Sequence, residues 1–257
     1  MSIIVFTSAS GSPGVTTTTL GLSCTWPRQA IAVEADPVGG SSMLAGYFRG
    51  FTAPSLSLVD LLMAHRGGRL AEQFPESLIR IQGTNASVLP GPRSHAQAYS
   101  ALELWEPLAW VWRALESSET DVLIDAGRLG MESFAHHLLQ TADLVVLVTR
   151  TDLPSLAAAR QWAERAAADR DLRPESAPWT VVAVGDGRPY SVREVSSVLG
   201  LPVVASLGVD PRGAAVYSVG ATRARASRLQ KDLVACGQKV REMISDVDRH
   251  LAPKEQS

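Results

Sequence analysis

A glycine-containing loop near the start of the chain constrains the fold more than any other feature. Residues 8–19 read Ser-Ala-Ser-Gly-Ser-Pro-Gly-Val-Thr-Thr-Thr-Thr, follow an apolar run at 3–6 and lead into a predicted helix. A strand, a glycine-containing loop and a helix in this order are typical of a phosphate-binding loop, because backbone N–H groups at a helix N-terminus surround an anion. Such loops also carry a lysine that neutralises the phosphates. Here the lysine is absent.

Short apolar runs alternate with longer helix-like segments along the rest of the chain. Runs of Val, Ile and Leu of this kind are typical of central strands in a parallel sheet covered on both faces. We therefore predict an α/β fold with a doubly wound, mostly parallel sheet of seven or eight strands, in which ligands bind at the carboxyl ends of the strands. The strand candidates are residues 3–6, 30–33, 87–89, 122–124, 144–148, 180–184 and 203–206.

The length suits one domain, and two segments predict long helices. With 257 residues and 46% hydrophobic content, we expect a single α/β domain over 1–251 and a short polar tail over 252–257. Residues 155–170 contain no glycine or proline, and Pro154 before them suits a first helical turn. An apolar stripe near the end predicts a helix packed on the sheet. Its members are Leu229, Leu233, Val240, Ile244, Val247 and Leu251.

Composition excludes some function classes. The formal net charge of −2 and pI near 6.2 give no overall basic field for nucleic acid or an anionic membrane. Cys24 and Cys236 lack metal-ligand spacing and are predicted to be reduced, buried thiols. We find no membrane-spanning apolar run and no secretion signal, so the expected location is the cytoplasm. We predict that the three clustered tryptophans are core or interface residues: Trp105, Trp110 and Trp112.

The loop resembles the deviant Walker A loop of the ParA/MinD family of ATPases, whose pattern is Lys-Gly-Gly-x-Gly-Lys-Thr-Thr. Without gaps, Ser10 falls at the signature lysine, which in the family reaches the partner's nucleotide across a dimer, and Val15 falls at the phosphate lysine. A register shifted by two residues puts Thr17 at the phosphate-lysine position and Thr18 at the magnesium position. Both registers remain open, and neither has a lysine. The resemblance implies nucleotide contacts from Ser10, Gly11, Ser12, Pro13, Gly14, Val15, Thr16 and Thr17.

Two acidic motifs follow the loop in the family's order. Residues 32–40 are similar to the switch segment Asp-x-Asp-Pro-x-Gly, with Asp36 at the aspartate that positions the attacking water and Glu34 in place of the first aspartate. Residues 121–127 are similar to the Walker B strand. The resemblance therefore implies that Asp125 and Thr16 would hold Mg²⁺. A structural alternative for Asp36 and Asp125 is that both are strand-end caps.

Further stretches extend the resemblance over most of the chain. Residues 142–155 are similar to another family motif, and residues 56–62 and 88–92 resemble the branch that localises Tad-type pilus and secretion machinery. Asp210 falls in the family's base-side loop, and Gly185 and Asp186 stand where the family has an adenine-side asparagine. The resemblance implies that these three residues contact the base, with capping as the alternative for Asp210.

The absence of both lysines bears on whether the chain is an active ATPase. Loss of a charge-assisted contact costs about 1.5–3 kcal/mol and weakens binding roughly tenfold to hundredfold, with a larger loss of catalysis. The resemblance then implies a weak or inactive ATPase, with ATP and Mg²⁺ as candidate ligands. It would act as a homodimeric scaffold for a partition, pilus or secretion, or cell-envelope machine, recruited to the membrane or cell pole through a partner protein.

Two alternatives stay open. One is a working switch ATPase that partitions DNA or other cargo, with Arg128 or Arg188 as a replacement cation. The other is a DNA-binding module without ATP control. It is motivated by basic residues near the last helix: Arg212, Arg223, Arg225, Arg228 and Lys231.

Overall fold

One eight-stranded sheet forms the centre of the computed structural model, which describes residues 1–38, 40–115, 119–222 and 226–251. The described strands are β1 (Ile3–Ser8), β2 (Gln29–Glu34), β3 (Ile79–Arg80), β4 (Ala86–Leu89), β5 (Thr120–Arg128), β6 (Leu144–Arg150), β7 (Trp179–Val184) and β8 (Val203–Leu207). Their order is β3-β4-β2-β5-β1-β6-β7-β8, and only β3 is antiparallel to its neighbour. The predicted fold class is confirmed.

Helices cover both faces of this sheet. The described α-helices are α1 (Val15–Thr25), α2 (Leu58–Arg66), α3 (Leu70–Gln73), α4 (His95–Ala101), α5 (Trp105–Arg113), α6 (His136–Thr141), α7 (Leu153–Leu172), α8 (Val192–Leu199), α9 (Pro211–Ser218) and α10 (Arg228–Leu251). A π-helical turn, Met43–Tyr47, follows β2. Helices α1, α9 and α10 contribute to the core on one face, and α2 to α8 contribute to the core on the other.

Strand β1 connects the two cores. Its side chains alternate between the faces, so Ile3 and Val5 enter one core while Ile4 and Phe6 enter the other, and all four are fully buried. It lies between β5 and β6, with strands on both sides and helices on both faces. The loop after β1 therefore begins in the middle of the sheet's carboxyl edge, where a doubly wound fold binds ligands.

The two predicted long helices are present. Helix α7 extends the predicted 155–170 at both ends, with Pro154 in its first turn and the Asp152 carboxylate accepting a hydrogen bond from the Ser155 N–H at 3.0 Å. Helix α10 packs against α1 and β8, as its apolar stripe predicts. The stripe residues Leu229, Leu233, Val240 and Ile244 are buried, and Val247 is half-buried. The side chain of Leu251 and the tail 252–257 lie outside the described residues.

The prediction that the three tryptophans are core or interface residues is confirmed as core for two of them, and the interface alternative stays a prediction for the third. Trp105 and Trp112 are buried on one face of α5, whereas Trp110 is 73% exposed. A helix buries residues three, four and seven positions apart, and Trp110 falls outside that series from Trp105. Cys236 is buried, as predicted, whereas Cys24 is only half-buried. No helix within the described ranges is both long and apolar enough to cross a membrane.

Candidate nucleotide site at the carboxyl end of strand β1

The loop after β1 has the geometry of a phosphate cradle. The chain leaves the strand at Ser8 and turns through Gly11 and Gly14, with φ angles of 63° and 98°, before α1 begins at Val15. Glycine adopts positive φ at no steric cost, so both turns depend on it. The N-cap residue Gly14 has no side chain to accept a hydrogen bond, and a helix leaves the N–H groups of its first turn without intrahelical partners. The loop therefore offers N–H donors to an anion.

A cavity of about 510 Å³ lies against this loop. Val15, whose side chain is only 7% exposed, belongs to the core on the α1 face and does not fill the cavity. Ser10, at the signature-lysine position, is half-buried and does not line it. The lining residues are Ser8, Gly11, Ser12, Pro13, Gly14, Val15, Thr16, Thr17, Asp36, Val38, Ser42, Gly127, Arg128, Tyr217 and Ser218.

The position of Thr16 distinguishes the two registers. Its hydroxyl lies close enough to the Asp125 carboxylate to lower the pKa of that group. Val15 is the first residue of α1, and Thr18 is buried away from the cavity. A magnesium position at Thr16 corresponds to the ungapped register, which places Val15 at the phosphate lysine. The geometry favours that register over the shifted one.

Asp125 is a buried acid with one unused oxygen. It is fully buried on β5, and the Gly127 N–H donates to its Oδ1 at 3.0 Å. Among the described residues, nothing donates a hydrogen bond to its Oδ2. The pKa of Asp125 is raised to about 7, mainly by desolvation and also by the negative charges of Asp36 and Glu34, while the hydrogen bonds with Thr16 and Gly127 act in the opposite direction. A buried carboxylate in this state is stabilised by a cation.

These residues fit Mg²⁺ better than a metal that needs several protein ligands. Within 1–38, 40–115, 119–222 and 226–251, no group of three or more His, Cys, Asp or Glu side chains is arranged to hold a metal ion. Mg²⁺ commonly takes one or two protein ligands and completes its shell with water and nucleotide phosphates. Asp125 and Thr16 meet that requirement.

Asp36 lies at the cavity edge, directly against Gly127. A Cβ atom added to Gly127 would lie 2.5 Å from the Asp36 Cγ, so the end of β5 requires glycine here. The Asp36 Oδ1 accepts a hydrogen bond from the Val38 N–H at 3.0 Å. The carboxylate thus caps its own turn and also lines the cavity. Gly39, in the same stretch, lies outside the described residues.

Glu34 has a structural role that the sequence analysis missed. Its buried carboxylate accepts hydrogen bonds from the Ser41 hydroxyl, from the Met43 N–H at 3.1 Å and from the Gly91 N–H at 2.9 Å. Burial raises the pKa of Glu34, while these hydrogen bonds act in the opposite direction. A Cβ atom on Gly91 would approach the Glu34 Cγ to 2.7 Å. Glu34 therefore ties the segment after β2 to the loop after β4.

Two residues that line the cavity are distant in sequence from the loop after β1. Tyr217 and Ser218, at the end of α9, line the same cavity as the loop after β1. The approach of α9 depends on Gly46 in the π-helical turn, because a Cβ atom there would collide with the Ser218 carbonyl oxygen. No local sequence pattern marks this contact. The two residues were therefore not predicted.

The three residues predicted to contact the base, Gly185, Asp186 and Asp210, lie outside the loop cavity. The Asp210 carboxylate caps α9 by accepting hydrogen bonds from the Gly213 N–H at 2.9 Å and the Leu229 N–H at 3.2 Å, and these bonds lower its pKa. Asp186 accepts from the Val192 N–H at 2.8 Å. Neither carboxylate lines the loop cavity.

Gly185 also lies away from the loop cavity. Its N–H donates to the Leu207 carbonyl at 2.9 Å, and its carbonyl accepts a bond from the Thr151 hydroxyl at 2.6 Å. The structure thus brings the loop, Asp36 and Asp125 together. The loop cavity does not include the three base-side residues.

The two arginines considered as replacements for the lysine lie in different places. Arg128 lines the cavity, whereas Arg188 does not. No lysine precedes Lys231 in the sequence. Of the residues that motivated the DNA-binding hypothesis, Arg212, Arg228 and Lys231 are exposed, and Arg223 and Arg225 lie outside the described residues.

Sequence comparison finds relatives without a described activity. No protein-family model matches the chain. Two proteins from two strains of Mycobacterium tuberculosis, the uncharacterized proteins MT3760 and Rv3660c, are each 31% identical over 210 residues, which cover 76% of this chain and 51% of theirs. The chain spans about half the length of these relatives.

Solved structures identify the fold. The cell division ATPase MinD of Pyrococcus furiosus superposes with a TM-score of 0.72 at 21% identity, covering 94% of this chain and 99% of that one. MinD complexed with Mg-ADP from Pyrococcus horikoshii gives 0.71 at 18% identity, covering 96% and 98%. A ParA family ATPase from Chlorobium tepidum gives 0.72 at 16% identity, covering 92% and 98%. The chain therefore has the fold of the MinD and ParA ATPases.

Proposed function

We propose that this chain is a ParA/MinD-like scaffold that binds Mg²⁺-ATP weakly and hydrolyses it slowly or not at all. The supporting observation is a formed phosphate cradle next to a buried acid, combined with Val15 at the phosphate-lysine position. The fold neighbours include a cell division ATPase and a protein complexed with Mg-ADP. A nucleotide-dependent role in positioning is the function that best fits this combination.

Each part of the cradle has a proposed task. The N–H groups of Gly14 and of the first turn of α1 would hold the phosphates, as helix N-termini do. Thr16 and Asp125 would hold Mg²⁺, which supplies positive charge at the phosphate oxygens. Asp36, at the cavity edge, would accept a hydrogen bond from water and orient it.

The missing lysine limits both affinity and turnover. Without it, the phosphates lose a charge-assisted contact of about 1.5–3 kcal/mol, so binding weakens roughly tenfold to hundredfold. The carboxylates of Glu34, Asp36 and Asp125 interact through their charges and repel a phosphate unless a cation intervenes. Phosphoryl transfer depends mainly on electrostatic stabilisation, so we expect hydrolysis to lose more than binding.

The proposed biological role is positioning. The chain would act as a homodimer, in the cytoplasm, and place a partition, pilus or secretion, or cell-envelope machine through contact with a partner protein of that machine. Recruitment to the membrane or cell pole would occur through the same partner. This role is compatible with low turnover, because holding a partner in place does not require repeated hydrolysis.

Calorimetry and a phosphate-release assay test this proposal together. Titration of the chain with Mg²⁺-ATP should give weak binding, and phosphate release should stay at background in both the natural chain and Asp36→Ala. Turnover at ordinary family rates that Asp36→Ala abolishes would overturn the proposal and favour a working switch ATPase. Light scattering with and without ATP measures the dimer. A monomer under both conditions contradicts the dimeric scaffold.

A gel shift separates the remaining alternative. A DNA-binding module retains DNA at low salt and loses it as salt rises, because phosphate contacts release counterions. We expect no retention at low salt, given the net charge of −2. Salt-sensitive retention would favour the DNA-binding hypothesis over the proposed scaffold.

A further inference from the structure

We propose that Arg128 supplies the positive charge that contacts nucleotide phosphate in the loop cavity, in place of the lysine that Val15 replaces. The inference rests on the proposed function and deepens it by naming the residue that keeps weak binding measurable. Four observations carry it: the backbone position of Arg128, its free guanidinium, the charges around the cavity and the contrast with Arg188.

The backbone of Arg128 is fixed beside the start of the loop. Arg128 is the last residue of β5 and lies opposite Ser8, the last residue of β1, in the parallel pairing. The Leu129 N–H donates to the Ser8 carbonyl at 2.8 Å, and the Thr7 hydroxyl donates to the Gly127 carbonyl at 3.0 Å. Hydrogen bonds on both sides of Arg128 thus hold the chain where the loop leaves the sheet. Its side chain starts at the rim of the cavity.

The guanidinium of Arg128 has no acidic partner within the described ranges. The side chain is exposed, and it donates a hydrogen bond to the thioether of Met131 at 3.1 Å, a weak acceptor. Other arginines are engaged more strongly, as in the Arg113–Asp143 pair at 2.8 Å. Exchanging a thioether contact for a phosphate contact costs Arg128 little. It is therefore free to turn toward an anion.

The charges around the cavity leave this task to Arg128. Among the described lining residues it is the one basic side chain, and Asp36 is the one acidic side chain. Asp125 adds a second carboxylate beneath the loop. Phosphates would bring further negative charge to this place. A guanidinium binds phosphate through two parallel hydrogen bonds, which makes arginine suited to replace a lysine contact even from a neighbouring strand.

Arg188 provides the contrast. It follows β7, and its backbone carbonyl accepts a hydrogen bond from the Thr151 hydroxyl at 3.1 Å. It does not line the loop cavity. Sequence alone offers both arginines as replacements, whereas the topology brings only Arg128 to the loop.

Calorimetric titration of the full chain tests the inference with two probes, Mg²⁺-ATP and Mg²⁺-tripolyphosphate, which has no base. Arg128→Ala should raise the Kd for both by roughly tenfold or more, and Arg128→Lys, which keeps the charge but loses the paired hydrogen bonds, should give Kd values between those of the natural chain and Arg128→Ala. The matched control Arg188→Ala should leave both Kd values within about twofold. Circular dichroism and melting curves verify that each variant is folded, and Arg128→Gln provides a second neutral variant.

Several results would overturn the inference. An Arg128→Ala Kd within about twofold of the natural value, an equal loss in Arg188→Ala, or no binding of either probe by the natural chain at millimolar concentration each contradicts it. The proposed scaffold fails on a different measurement, namely turnover at ordinary rates that Asp36→Ala abolishes. Rapid turnover combined with a weakened Arg128→Ala variant overturns the scaffold and keeps the phosphate contact.

Discussion

The two ends of the candidate nucleotide-binding edge use their polar groups differently. Near the loop after β1, the Asp125 Oδ2 has no hydrogen-bond partner among the described residues, and the N-cap of α1, Gly14, provides no side-chain hydrogen bond. Near the ends of β7 and β8, Asp186 and Asp210 both accept hydrogen bonds from helix N–H groups. The loop end therefore has polar groups without protein partners, which a charged ligand could bind. At the base end the same residue types hold the fold together.

This difference bears on which part of a nucleotide the chain would recognise under the proposed function. The loop end combines helix N–H donors, the buried acid Asp125 and Arg128, which are the groups proposed to contact Mg²⁺ and phosphates. At the base end, the carboxylates already accept the hydrogen bonds that cap α8 and α9. We therefore expect phosphate and metal contacts to contribute more to nucleotide binding than base contacts.

The largest expected effect is the pH dependence of stability that Asp125 causes. Its pKa is about 7 in the folded chain and near the ordinary aspartate value of 3.8 in the unfolded chain. A raised acid pKa contributes stability that is fully present below the unfolded pKa and is lost as pH rises through the folded pKa. The loss amounts to about 4 kcal/mol for the fully buried group. Urea unfolding between pH 4 and pH 8 should show stability falling, with a much smaller fall in Asp125→Asn.

Two controls make this measurement specific. Glu34 is also buried with a raised pKa, so part of the fall persists in Asp125→Asn and should shrink further with Glu34→Gln. Mg²⁺ added at pH 8 should stabilise the natural chain and leave Asp125→Asn unchanged. If the natural chain and Asp125→Asn lose stability equally between pH 4 and pH 8, Asp125 is not an uncompensated buried charge. The loop end would then not differ from the base end in this respect.

Restoring the lysine gives the next largest effect. Val15→Lys should tighten Mg²⁺-ATP binding roughly tenfold to hundredfold, because the cradle is formed and lacks the charge. The side chain of Val15 is only 7% exposed, so the variant should also lose about 1–3 kcal/mol of stability. Calorimetry measures the first effect and urea unfolding the second. Val15→Met, which adds length without charge, is the matched control, and equal affinities in both variants would show that the loop end does not accept a phosphate.

The sequence predicts the fold well where one element determines its own burial pattern. Residues 3–6 of strand β1 are all apolar because strands and helices surround them, and that pattern is visible in a single run. The edge strand β3, at Ile79–Arg80, has one buried and one exposed residue, which is too short for a periodic signal. The clustering of the three tryptophans did not show that Trp110 would be exposed, because it does not indicate which helix face each one occupies.

The site residues were also predictable only where the signal is local in sequence. The loop glycines and Asp125 were predictable because each belongs to a short motif of consecutive residues at the end of a strand. Tyr217 and Ser218 were not, because their place at the cavity depends on how closely α9 packs against the segment after β2. Asp210 matched a motif by position, yet only the hydrogen bonds to α9 and α10 reveal what its carboxylate does.

The smallest expected effect belongs to Asp210 and tests the base end directly. Asp210→Ala removes the α9 cap and should cost about 0.5–2 kcal/mol at neutral pH. Since the hydrogen bonds to Gly213 and Leu229 lower the pKa of Asp210, this stability is present above the unfolded pKa and disappears as pH falls through the folded one. Urea unfolding at pH 7 and pH 3 measures it, and Asp186→Ala, which loses one bond to Val192, is the control with a smaller cost. The Kd for Mg²⁺-ATP should remain within about twofold, because Asp210 lies outside the loop cavity and each of its two carboxylate oxygens already accepts a hydrogen bond from a helix N–H. If Asp210→Ala keeps its stability but binds Mg²⁺-ATP more weakly, Asp210 contacts the ligand instead of capping α9. The base end would then take part in binding, contrary to the expectation.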